Sequence, residues 1–211
     1  TPANYAFSIW GTIYLLLLVY VVFQLFVQKP SVENNLAKVA FWFVLSCIVN
    51  AGWIFAWHFR QILVSAIVMA GLMACLGRIL SLTAKPDGTC CGMVSLELPF
   101  GLYAGWITVA TVANIAVLLT DLGWNGFGVP VVWMIVTLLV AVGVVFAVTR
   151  KIRNIAYPAA VIWGFTGILV RYLPDFAFDI HNDAMWIVLA LGLCLLILTA
   201  RWIEIIVRRL K

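Results

Sequence analysis

Seven stretches of about twenty residues, each apolar and nearly free of charge, follow one another along the chain, with short polar links between them. A helix of that length spans about 30 Å, the thickness of a bilayer's hydrocarbon core. Inside lipid only helices and closed barrels satisfy every backbone hydrogen bond. These runs are continuously apolar and do not alternate with period two, so they are helices and not barrel strands. With 65% hydrophobic and 10% charged residues and a mean hydropathy of +1.13, no soluble domain of 211 residues could bury its apolar surface. The expected fold is all-α, a polytopic transmembrane helix bundle of about seven spans. They run near residues 5–28, 39–59, 62–82, 98–120, 129–148, 155–172 and 185–207. A cleaved signal or one further helix upstream of Thr1 is compatible with this count.

Threading the spans alternately across a membrane sorts the charge. Of the 13 basic residues, 11 fall on one side: Lys29, Lys38, Arg78, Lys85, Arg150, Lys151, Arg153, Arg201, Arg208, Arg209 and Lys211. Only Arg60 and Arg171 lie opposite. The excess of Lys and Arg places the C-terminus in the cytoplasm, or its organellar equivalent, and Thr1 on the other side. The net charge of +5 is explained by this topology, and no nucleic-acid partner is expected. The five cysteines give no disulfide framework, and the vicinal Cys90 and Cys91 fall in a link on the reducing side, where an ordinary loop is expected.

Three spans carry aromatic or polar stripes at helical spacing. On the fourth, Tyr103, Trp106, Ala110 and Asn114 share one face, while Gly101 and Gly105 point the opposite way and invite a close helix neighbour. On the second, Ser46, Asn50, Trp53 and Trp57 align, and the first offers Phe7, Trp10 and Tyr14. Amides at membrane depth normally face a bundle interior or a cavity. Two readings follow: a flat aromatic pocket whose amides fix the polar edge of a ring compound, or interhelical hydrogen bonds with tryptophans anchored at the interface.

Other chemistries find less support. His58 and His181, even with Asp175, Asp179 and Asp183, match no metal-ligand spacing, and no metal site is expected. The last span has no lysine for a retinal Schiff base. No Asp, Glu or Lys sits at mid-membrane and no internal repeat is visible, which disfavours an ion-coupled transporter. No nucleophile–base pair appears, so the chain leans away from catalysis, and no catalytic residue is assigned.

Trp10-Gly-Thr-Ile-Tyr14, preceded by Pro2 and Phe7, resembles the Trp-Thr-x-Leu-Tyr signature of the translocator protein/tryptophan-rich sensory protein (TspO/MBR) family. Asn50-Ala-Gly-Trp53 is similar to that family's Asn-x-x-Trp. Tyr103-Ala-Gly-Trp106, continued by Ala110 and Asn114, is similar to its Pro-Tyr-x-x-Trp-x-x-x-Ala-x-x-x-Asn helix. The motifs occur in family order, with a plain helix between the second and third. Leu102 stands where the family usually has proline, and the step from Phe7 to Trp10 is one residue shorter than usual.

The resemblance implies a TspO-like helical core over residues 1–120 that lacks its first helix, and an additional three-helix membrane region over 121–211. It implies binding of a hydrophobic, ring-shaped ligand, a porphyrin, other tetrapyrrole or sterol-like molecule, in a sensing or transport-facilitating role. Carried over by position, the ligand-binding residues are Trp10, Tyr14, Asn50, Trp53, Trp106, Ala110 and Asn114. No resident cofactor is expected beyond such a bound porphyrin, tetrapyrrole or lipid. The expected partners are membrane lipid, the hydrophobic small-molecule ligand, and a second copy (a homodimer) or a larger membrane complex. The alternative function is a non-catalytic accessory or scaffold subunit of such a complex.

Overall fold

The computed structural model describes residues 2–26, 30–84, 93–179 and 181–210, and all regular structure among them is helical. A 3₁₀ turn at Asn4–Ser8 leads into α1 (Ile9–Phe26), followed by α2 (Pro30–His58), α3 (Ile62–Leu82) and a π-helical turn at Met93–Glu97. Then come α4 (Leu98–Asp121), α5 (Pro130–Lys151), α6 (Ala156–Tyr172) and α7 (Asp183–Leu210). All seven spans are long and apolar enough to cross a bilayer, so the protein is a multi-pass membrane helix bundle.

Several helix ends differ from the hydropathy reading, those of α2 and α7 among them. α2 begins at Pro30, nine residues before the expected start near 39. Proline at a first helical position is preset for the helix and lacks only an N–H that would be unpaired there. α7 extends to Asp183 and Leu210, with Asp183 in its first turn and Arg208 and Arg209 in its last, the signs that suit a helix dipole. Hydropathy marks where lipid begins; a helix continues past that point when its polar ends suit water.

α4 is the centre of the bundle. It lies between α3 and α6 and also touches α1 and α5. Its first half is enclosed, with residues such as Phe100, Tyr103, Trp106 and Ile107 buried, whereas in its second half only Asn114 is. Lipid tails are as apolar as side chains, so helices in a membrane gain mainly from close contact. Gly101 and Gly105 provide it. A Cβ on Gly105 would stand 2.8 Å from the Ala160 Cβ and strike the Tyr157 carbonyl oxygen; one on Gly101 would stand 2.8 Å from the Ala156 Cβ and strike Asn154 Oδ1. The face that spacing marks for packing is the face that receives α6.

Polar ties lock the same end of the bundle. Asn154 Oδ1 accepts the Ala156 and Tyr157 amides at 2.9 and 3.0 Å, capping α6, while its Nδ2 donates to the Glu97 carbonyl at 2.9 Å. The Glu97 carboxylate takes Arg209 of α7 at 2.6 Å. Arg201 donates to the carbonyl and hydroxyl oxygens of Thr149 at 3.0 and 3.1 Å, joining α7 to α5. At the opposite end the N-terminal segment lies on α6, where Ala3 N donates to the Gly167 carbonyl and Trp163 Nε1 to the Ala6 carbonyl, both at 2.9 Å. The helices after residue 120 thus pack into the bundle formed by those before it.

Candidate functional site

A chain of rings joins α1 to α4. Trp10 and Tyr14, one helical turn apart, stack with centroids 5.4 Å apart. Trp10 meets Tyr103 at 5.9 Å and Trp106 at 6.4 Å, both edge-on, and Phe7 meets Trp106 at 5.7 Å. Edge-to-face pairs of this kind contribute about 0.5–1.5 kcal/mol each beyond burial. Further along, Tyr20, Phe43 and Phe100 form a three-ring floor, with centroids 4.8 to 5.9 Å apart.

Between these two aromatic layers lies a cavity of about 320 Å³. Tyr14 and Leu17 of α1 form one wall, Phe43, Cys47 and Asn50 of α2 the other, and Tyr103 of α4 the back. The cavity exists because α2 packs along α3, and α1 along α4, leaving a gap between α1 and α2. At its wall, Asn50 Oδ1 is buried with no hydrogen-bond partner among the described residues; Trp53 Nε1, one turn on and outside the lining, is likewise buried without one. An unmet buried acceptor or donor costs about 1–3 kcal/mol.

The seven residues named from sequence are therefore placed unequally. Tyr14 and Asn50 line the cavity. Trp10 borders it through its contacts with Tyr14 and Tyr103, whereas Trp106, which meets Trp10 and Phe7, stands one ring further out and is only 3% exposed. Trp53 stacks on Trp57 at 5.9 Å. Ala110 is half-buried further along α4. Asn114 turns instead to α3: its Nδ2 donates to Ser65 Oγ at 3.3 Å, and the Ser65 hydroxyl donates to the Ile62 carbonyl at 2.7 Å. Tyr103, Phe43 and Cys47 complete the cavity and were not among the seven. The α2 residues carried a signal, since Phe43, Cys47, Asn50 and Ile54 recur at steps of four, three and four, one helical face.

The remaining features lie elsewhere. His58 lines a second, larger cleft beyond α4, and His181 is exposed. Among the described residues no three His, Cys, Asp or Glu side chains gather as a metal site. Cys90 and Cys91 lie outside the described residues.

No curated protein and no solved structure matches the chain. The family model of the TSPO-like proteins matches residues 1–202, running through the aromatic core and the helices beyond it. A match of that extent, over a bundle of seven helices long and apolar enough to cross a membrane, shows that the chain belongs to the TSPO-like protein family.

Proposed function

We propose that the protein binds a hydrophobic, ring-shaped ligand of the porphyrin or sterol type in the cavity between α1, α2 and α4, in a sensing or transport-facilitating role. The observation that carries this reading is the buried, unpartnered Asn50 Oδ1 at the wall of an aromatic cavity. A ligand N–H or O–H placed there removes the desolvation cost of the amide, and the rings of Tyr14 and Tyr103 offer flat contact to the ligand's face. Ligand sites commonly measure about 300–1,000 Å³, so a cavity at the lower bound holds one edge of a large ring system. The rest of such a ligand lies in the gap between α1 and α2, against lipid.

Asn50→Leu separates this role from interhelical bonding. Titrated with protoporphyrin IX in detergent and followed by porphyrin absorbance, the wild type is expected to saturate and the variant to bind about tenfold more weakly. The ligand-free variant should melt at the same temperature or higher, because an unmet polar group has been removed. Unsaturable binding by the wild type, or a variant that binds normally, would sink the proposal, and a variant that unfolds would assign Asn50 to packing.

The orientation belongs to the same reading, with the end of the bundle that holds Lys151 and Arg153 in the cytoplasm. A single cysteine at the exposed Arg153 (Arg153→Cys, in a background without other cysteines) is expected to react with an impermeant maleimide only from the cytoplasmic side. Labelling from outside reverses the topology.

A further inference from the structure

Beyond α4 from the aromatic cavity is a cleft of about 1160 Å³ that shares no lining residue with it. Its walls are the second half of α4, the first half of α5 and the end of α6, and its mouth is the tight α2–α3 turn. It opens because α5 rests mainly on α7 and only lightly on α4 and α6. The walls are apolar, with Val109, Leu138 and Phe165 at the deep end. On α4 the lining runs from Val109 to Asp121, about 18 Å at 1.5 Å per residue. One leaflet of hydrocarbon is about 15 Å thick. The cleft is therefore one leaflet deep and larger than the usual range for small-molecule sites.

Its mouth carries both signs of charge. Arg60 and Asp121 line it, and among the described residues neither side chain has an ion pair or hydrogen bond. Trp57 and Trp133 stand beside them. Arg60 also occupies a costly position. Its φ is +54°, in a turn closed by Arg60 N to the Trp57 carbonyl at 3.1 Å and Gln61 N to the Ala56 carbonyl at 2.8 Å. Glycine is the usual residue at such a helix end, and any residue with a Cβ meets a steric cost there. Its exposed guanidinium, at the mouth of the cleft and without an ion pair or hydrogen bond among the described residues, is open to a partner from outside the chain.

We propose that this cleft binds one zwitterionic phospholipid from the adjacent leaflet. Its phosphate pairs with Arg60, its ammonium lies near Asp121 and the indole faces of Trp57 and Trp133, and an acyl chain fills the gap between α4, α5 and α6. A lipid with a purely anionic head satisfies Arg60 but sets its charge against Asp121. An uncharged lipid leaves both side chains unmet.

The test uses delipidated protein in dodecyl maltoside, titrated with phosphatidylcholine carrying brominated acyl chains, which quench nearby tryptophans. Quenching is expected to saturate at one lipid per protein. Unbrominated phosphatidylcholine and phosphatidylethanolamine should compete, phosphatidylglycerol about tenfold less well, and free phosphocholine or inorganic phosphate not at all. Arg60→Gly is expected to weaken binding about tenfold while leaving the melting temperature unchanged or raised, since glycine relaxes the turn. Asp121→Asn should erase the preference over phosphatidylglycerol. The proposal is overturned by unsaturable quenching, by equal or stronger binding of phosphatidylglycerol, by competition from the free head group, or by Arg60→Gly binding normally. Loss of binding together with loss of stability in Arg60→Gly would make Arg60 a structural residue and overturn it equally.

Discussion

Replacing Gly105 with alanine is expected to destabilise the bundle by about 3 kcal/mol or more, the upper end for overpacking a closed interface. The added Cβ would strike the Tyr157 carbonyl oxygen, a backbone atom inside α6 that no rotamer change can move, and would press on the Ala160 Cβ at 2.8 Å. α4 and α6 must therefore part. Gly71→Ala is the control: a Cβ there meets only the Val49 Cγ1, at an ordinary 3.8 Å, and alanine gains up to about 1 kcal/mol of helix propensity over glycine. Unfolding of both variants in mixed micelles should show a large loss for the first and none for the second. Equal stability would mean that the two helices are not in contact at Gly105. Because Trp106 follows Gly105 directly, displacement of α4 should also alter the near-ultraviolet circular dichroism of the Phe7–Trp10–Trp106 ring cluster.

The packing face of α4 was legible because it required only two small residues four positions apart. The opposite stripe was legible as a stripe but not in its partners. Tyr103, Trp106, Ala110 and Asn114 share one face, yet the neighbour on that face changes along the helix: Trp10 of α1 meets Tyr103 and Trp106, while Ser65 of α3 meets Asn114. Periodicity in one helix says nothing about where another crosses it. For the same reason the sequence treats Asn50 and Asn114 alike, whereas the fold satisfies one amide with Ser65 and gives the carbonyl oxygen of the other no partner among the described residues. The proposed ligand-facing role of Asn50 rests on that asymmetry, which exists only once the helices are assembled. The outer cleft was wholly illegible, because it depends on α5 resting against α7 and no residue of α5 alone records that choice.

The largest electrostatic effect is expected at the opposite end of α4. Glu97 is 3% exposed and its pair with Arg209, 24% exposed, ties the π-helical turn that leads into α4 to the last turn of α7. The second carboxylate oxygen has no hydrogen-bond partner among the described residues, so Arg209 is its principal compensation. Arg209→Met should cost about 3–5 kcal/mol, because breaking a buried pair strands a charge. Glu97→Met combined with Arg209→Met should recover much of that loss, since an apolar pair of similar volume leaves no buried charge or polar group to compensate. Arg208 supplies the contrast: its pair with Glu204 has side chains 57% and 39% exposed, and Arg208→Met should change stability by no more than about 1 kcal/mol. Unfolding of the four proteins in mixed micelles forms the test. If Arg209→Met behaves like Arg208→Met, water reaches Glu97 and the tie between α4 and α7 is not a dry one. If the double variant is no better than Arg209→Met, the loss comes from the arginine's packing on α4 and not from the stranded carboxylate. Recovery in the double variant would establish that Arg209 serves to neutralise the buried Glu97 carboxylate, while small-residue contact with α6 holds the first half of α4.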